Sequence, residues 1–281
     1  MLIALGSLKS SPGVTTAAAA LSAMWPASAA GEPVLLEADA RGGDVAARFS
    51  LGPEPGLASL SVGARRATEA KLLAEHVQEL PGGLNVVLAP PTAENARAAM
   101  TMLDEDGREL LRALAVQEDF AVVADLGDLS PDGHGWAVAE AAEVLLLVAR
   151  PVLDELTRVI SAAEDLLARC AASGTRLALV TVGAGPFSRA EIEESTGITL
   201  AAELPNDAAA AAMLAGRPDP RGALSRLTGR GGIAGLPLAK AATSLAVALA
   251  AEHLRVGAES HTEPEDGAAD GAEHEPIGAS A

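Results

Sequence analysis

Aromatic side chains are almost missing from this 281-residue chain: they make up 2% of it, and there is no tyrosine. Hydrophobic residues still reach 49%. A sizeable core must therefore be built from Ala, Val and Leu, which requires helices and sheet to pack closely. One cysteine is present, Cys170, so neither an intrachain disulfide nor a cysteine-built zinc cluster is available. Its flanks, LLARCAAS, read as helix, and a buried thiol is expected there. No stretch reaches the ~18 uninterrupted apolar residues of a membrane span. The histidines are His76, His134, His253, His261 and His274. None has HExxH or similar ligand spacing, and no G-x-S-x-G serine occurs, so neither a histidine-built metal site nor α/β-hydrolase chemistry is expected. His134 follows Asp132 and Gly133 and reads as a solvent-facing loop side chain.

Positive charge is scarce as well. Twenty Lys and Arg stand against 38 Asp and Glu, for a formal charge of -18 and a pI near 4.6. Such a field repels phosphate backbones and anionic lipid, so nucleic acid is a poor default partner. Part of the excess lies beyond Arg255, where Glu259, Glu263, Glu265, Asp266, Asp270, Glu273 and Glu275 occur without a Lys or Arg. Only Lys240 and Arg255 are cations on the last predicted helix, so membrane adsorption through the acidic C-terminus is disfavoured. The apolar stretch AAAALSAMWPASAA resembles a leader, but Lys9 to Gly13 and a short strand precede it, so a cytoplasmic location is expected.

What is there is a regular alternation. Continuous apolar runs at 2–5, 34–38, 84–89, 120–125, 144–149 and 177–182 suit strands covered on both faces. Between them, 14–25, 91–114, 153–171 and 236–255 read as helices, the third with Leu153, Leu156, Val159, Ile160 and Ala163 on one stripe. The order predicts an α/β fold, a doubly wound and mostly parallel sheet flanked by helices. Residues 41–66 are rich in glycine and small side chains and are expected to form a loop with short helices. One α/β domain over 1–256 and a disordered acidic tail over 257–281 complete the expected layout.

The most informative stretch is GSLKSSPGVTT, residues 6–16, between the first strand and an alanine-rich helix. A phosphate loop needs that placement, because amide N–H groups and the helix N-terminus then point at an anion. The strict pattern G-x-x-x-x-G-K-[ST] fails at its end, since Val14 follows Gly13 where lysine would stand. A variant fits better. Residues 9–16, K-S-S-P-G-V-T-T, resemble the K-G-G-x-G-K-T-T loop of the ParA/MinD family of deviant Walker A ATPases. Lys9, Gly13, Thr15 and Thr16 agree. Ser10 and Ser11 replace glycines, Pro12 removes an amide donor, and Val14 replaces the second lysine.

By that resemblance the chain has a P-loop NTPase fold with a degenerate loop. Lys9, Ser10, Ser11, Gly13, Val14, Thr15 and Thr16 would line the nucleotide, with ATP and Mg²⁺ as cofactors. Lys9 would reach a neighbouring protomer's nucleotide in a nucleotide-dependent homodimer, and Thr15 would be the magnesium hydroxyl. VLLEADARGGD (34–44) resembles the family's D-x-D motif, with Glu37 and Asp39 as its acids, and Asp39 would help arrange the attacking water. FAVVADLGDLS (120–130) resembles a Walker B strand, with Asp125 as metal carboxylate and Asp128 as a second candidate. LPNDAAAAAMLAGRP (204–218) resembles the loop near the base. Pro205 and Asn206 are its candidates, although Asn206 also reads as the N-cap of the next helix. Val182 and Gly183 stand where many relatives have an adenine-reading asparagine.

An amine against a triphosphate is worth roughly 2–5 kcal/mol when removed, and valine offers no donor. The resemblance therefore implies a positioning, partitioning or assembly regulator that works through protein partners, with weak or lost ATP binding and no efficient hydrolysis. The alternative is an active ATPase in which Lys9 replaces the missing lysine. A third class, a small-molecule ligase or synthetase on the same fold, finds no supporting substrate constellation.

Overall fold

A computed structural model describes residues 1–8, 13–218 and 232–260, the last helix with its side chains only to Arg255. Eight strands form one sheet in the order β3-β4-β2-β5-β1-β6-β7-β8. They are β1 (Leu2–Ser7), β2 (Glu32–Glu37), β3 (Gln78–Glu79), β4 (Asn85–Val87), β5 (Phe120–Asp128), β6 (Val144–Ala149), β7 (Arg176–Val182) and β8 (Leu200–Leu204). All neighbours pair in parallel except β3, which runs antiparallel to β4 at the edge.

The unbroken apolar runs are explained by two cores. Along β1, Leu2 and Ala4 enter one apolar layer, while Ile3 and Leu5 enter the other, as a period of two requires. One layer is covered by α3 (Leu57–Ala64), α4 (Ala93–Asp106), α5 (Arg108–Val116), α6 (Trp136–Ala141), α7 (Leu153–Ser173) and α8 (Arg189–Thr196). The other is covered by α1 (Val14–Ala23), α2 (Val45–Phe49), α9 (Ala208–Leu214) and α10 (Pro237–Ser260). Cys170 is a buried free thiol in the first layer, as expected. No helix among the described residues is long and apolar enough to cross a membrane.

Three expectations change in detail. The stretch 91–114 is two helices rather than one, joined at Gly107. A Cβ on Gly107 would lie 2.9 Å from the α-carbon of Leu103, so the close turn that separates α4 from α5 excludes a side chain there. The edge strand β8 went unread, because Ala201, Ala202 and Glu203 are not fully buried and the run is not continuous. The last helix, expected over 236–255, spans Pro237–Ser260, and residues 261–281 of the expected tail lie outside the described residues.

The chain order puts β1 between β5 and β6, with β2 reached on one side and β6, β7 and β8 on the other. That reversal is a topological switch point, where open α/β sheets leave a crevice beyond the strands' carboxyl ends.

Candidate nucleotide site

The crevice is built where β1 gives way to α1. Gly13 stands at the N-cap of α1 with φ +98°, a left-handed conformation that glycine adopts without strain. Lys9, Ser10, Ser11 and Pro12 lie outside the described residues. Val14 opens the helix and is 5% exposed, buried in the apolar layer of α1 and α10. The residue that the family resemblance sets at the lysine position is thus a core side chain.

Thr15 turns its hydroxyl to Asp125, the residue the Walker B resemblance selected, and donates a hydrogen bond to its carboxylate. Asp125 is 1% exposed on β5, level with Leu5 of β1, and also accepts from the Gly127 amide at 3.1 Å. Burial pushes its pKa up to about 6; the two hydrogen bonds oppose that, while the charges of Glu37 and Asp39 add to it. Thr15 and Asp125 are thereby brought together as a pair of oxygen donors. Among the described residues no cluster of three or more His, Cys, Asp or Glu could hold a metal. Two protein oxygens nonetheless suit Mg²⁺, which keeps several waters and takes the rest of its shell from phosphate.

Asp39 is close to this pair, with a carboxylate oxygen packed against the α-carbon of Gly127. It is held by Arg41, whose backbone N–H donates at 2.8 Å and whose Nε and Nη2 donate at 3.3 and 3.2 Å. Asp39 keeps the Arg41 guanidinium charged, helped by Asp128 and Asp125. Arg41 is a functional candidate that sequence reading missed, since an arginine in a glycine-rich loop gives no pattern.

Glu37, the other acid of the β2 motif, has a different job. It is 3% exposed and accepts from the amides of Asp44 (2.8 Å), Val45 (3.1 Å) and Ala89 (3.0 Å). Desolvation raises its pKa against those bonds. It clamps the loop after β2 to the end of β4.

On the other side of α1 a cavity of about 220 Å³ is lined by Gly13, Thr16, Val182, Pro205, Asn206 and Arg150. Pro205, Asn206 and Thr16 are therefore brought together with Gly13. Asn206 is not the N-cap of α9: that role belongs to Asp207, whose Oδ1 accepts from the Ala209 and Ala210 amides at 3.1 and 3.0 Å. The second oxygen of Asp207 also takes the amide of Leu238 in α10, at 3.3 Å. Arg150, unremarked in the sequence, is fixed at the cavity rim by Glu155, 4% exposed, through its backbone N–H and Nε, both at 2.6 Å. His134 does not approach the crevice; it is half-buried and faces Asp104 of α4 at 3.7 Å.

No family model matches the sequence, and no curated protein matches it. Solved structures do. A ParA family ATPase from Chlorobium tepidum TLS superposes with a TM-score of 0.66 at 19% identity, over 88% of this chain and 98% of that one. The cell division ATPase MinD of Pyrococcus furiosus gives 0.59 at 20% identity, over 90% and 100%. A Cyanothece McdA(D38A)–ATP complex gives 0.56 at 16% identity, over 87% and 95%. The chain therefore has the fold of the ParA/MinD ATPases, a P-loop NTPase α/β fold.

Proposed function

We propose that this protein is a ParA/MinD-like regulator of positioning, partitioning or assembly that binds Mg–ATP weakly and hydrolyses it inefficiently. The observation that carries the reading is the division of its crevice. The hydroxyl of Thr15 still meets the carboxylate of Asp125, while the residue at the lysine position, Val14, is buried among apolar side chains. Metal and terminal phosphates would rest on Thr15 and Asp125, with Asp39 alongside; the base and sugar would enter the cavity bounded by Thr16, Pro205 and Asn206. Bound ATP supplies a phosphoanhydride whose charge needs neutralising, and the described residues give that end of the crevice no lysine. The matched solved structures include a MinD complexed with Mg-ADP from Pyrococcus horikoshii OT3 and a MinC:MinD complex from Aquifex aeolicus. They support a nucleotide-linked protein that acts on protein partners.

Titration with a fluorescent ATP analogue, with and without Mg²⁺, is the direct test. Weak, Mg²⁺-dependent binding with turnover near the buffer rate is expected. Brisk turnover that disappears in Lys9→Ala would overturn the reading in favour of a working ATPase. Absence of binding at millimolar analogue would reduce the chain to a partner protein without a ligand.

A further inference from the structure

The largest cavity among those described lies far from the crevice, on the layer of α5, α6 and α7. It is a groove of about 720 Å³ whose rim carries Arg108, Arg112 and Arg169 against one acid, Glu140. In a chain with a formal charge of -18, three arginines on one groove are an exception. Arg169 is preorganised: it stacks 3.7 Å over the Trp136 ring, donates from Nε to Glu140 at 2.8 Å and from Nη1 to the Pro131 carbonyl at 3.3 Å. Arg108 reaches the same Glu140 at 3.7 Å. One carboxylate is thus shared by two guanidinium groups, and the exposed Arg112 is in no ion pair among the described residues. Val116 beside it is 80% exposed. The groove presents uncompensated positive charge around an apolar floor, which suits an acidic peptide.

The chain carries such a peptide and delivers it to this end of the fold. In α10, His253 bonds Glu143 at 2.9 Å, and Glu252 pairs with Arg176 at 2.7 Å. Glu143 follows the groove residue Ala141 by two positions, and Arg176 follows the groove residue Ser173 by three. The turn of α10 at Glu252 and His253 therefore lies at the end of the sheet to which the groove's helices α6 and α7 lead. Residues 261–281 come next, with Glu263, Glu265, Asp266, Asp270, Glu273 and Glu275 and no cation but two histidines. Twenty-one residues reach up to ~70 Å when extended.

We propose that the acidic C-terminal segment 261–281 docks in the Arg108–Arg112–Arg169 groove of its own chain. Docking there touches the residues that hold the segment after β5, since Arg169 binds Pro131 and stacks on Trp136, whose Nε1 donates to Ser130 at 2.9 Å. The segment would thereby brace the loop that leads away from Asp125. The proposal does not depend on nucleotide binding.

A labelled peptide of residues 261–281 titrated against full-length chains tests it by fluorescence anisotropy. A chain whose six acids at 263, 265, 266, 270, 273 and 275 are changed to amides has its groove open and is expected to bind the peptide at least tenfold more tightly than the natural chain. Adding Arg112→Glu to that chain should remove at least tenfold of the affinity, as should raising the salt to 0.5 M, because surface charge contacts are screened. Arg112 has no ion-pair partner to lose among the described residues, so its change leaves the fold intact, which circular dichroism verifies. Indifference to Arg112→Glu, or no binding at all, would overturn the assignment of the groove. Equal affinity for the two chains, even with Arg112 sensitivity, would overturn self-docking and hand the groove to an acidic segment of another protein.

Discussion

The two flanks of α1's N-terminus differ in kind. On the flank proposed to hold the metal, the Thr15 hydroxyl meets the Asp125 carboxylate, and Asp39 is held nearby by Arg41. On the opposite flank, Val14 and Val182 are apolar where lysine and asparagine are expected from the family resemblance, and Arg150 is already engaged by Glu155. The contrast is between polar groups that are fixed in place on one flank and apolar side chains on the other. Asp125 and Asp39 each accept a backbone amide, from Gly127 and Arg41, whereas Val14 and Val182 pack in the apolar layer with no polar group to engage.

The sharpest way to break this comparison is to remove the metal flank. Asp125→Ala should abolish any Mg²⁺ dependence of analogue binding, read as superposed titrations with and without the metal; a retained Mg²⁺ effect would place the metal elsewhere. Next in size is the cost of the buried charge itself. The folded pKa of Asp125, about 6, lies above its ordinary 3.8. Folded protein therefore binds that proton more tightly than the unfolded chain, so its contribution is favourable at low pH and is lost as pH rises through 6. Asp125→Asn should stabilise the ligand-free protein by about 3 kcal/mol at pH 7.5 and by little near pH 4. Urea unfolding of both proteins at the two pH values checks this, and a difference that does not grow with pH contradicts it.

On the apolar flank, Val14→Lys should tighten ATP-analogue binding by about tenfold, ~1.4 kcal/mol. That is less than a full charge-assisted contact, because the new amine must leave a buried position. No gain in the same titration would mean that the helix start does not face phosphate. Smallest is Gly13→Ala, which forces a side chain into positive φ and should cost about 1 kcal/mol of stability by thermal melting. An unchanged melting temperature would show that the turn relaxes freely.

Much of the fold was legible because its strands are continuous Val and Leu runs buried on both sides. β1, β2, β5, β6 and β7 fall close to where those runs lie. β3 and β8 were not legible, being a two-residue edge strand and a half-covered one. The break at Gly107 and the capping of α9 by Asp207 were local signals passed over: Gly107 lies four residues from the Leu103 backbone it crowds, and Asp207 caps the amides of Ala209 and Ala210. Of the candidate site, Thr15 and Asp125 were read from motif order and meet in space. Arg41 and Arg150 were invisible, since each acquires meaning only from the carboxylate that fixes it. The arginines of the distal groove come from three helices and could not be gathered from spacing.

Glu37 has a mechanical consequence for the crevice. Its carboxylate ties Asp44 and Val45 to the β4 terminus, and one residue before Asp39 the Ala38 amide is bonded to the Asp125 carbonyl at 2.8 Å. The segment 39–43 is thus tethered at both ends to the sheet, with Gly42 and Gly43 further bonded to Asp39 and Pro90. Such a short bridge has little amplitude of its own. If Asp39 meets a ligand as proposed, the loop itself has little room to respond, and Arg41, bonded to Asp39 and half exposed, is the long side chain placed to carry that contact to the surface.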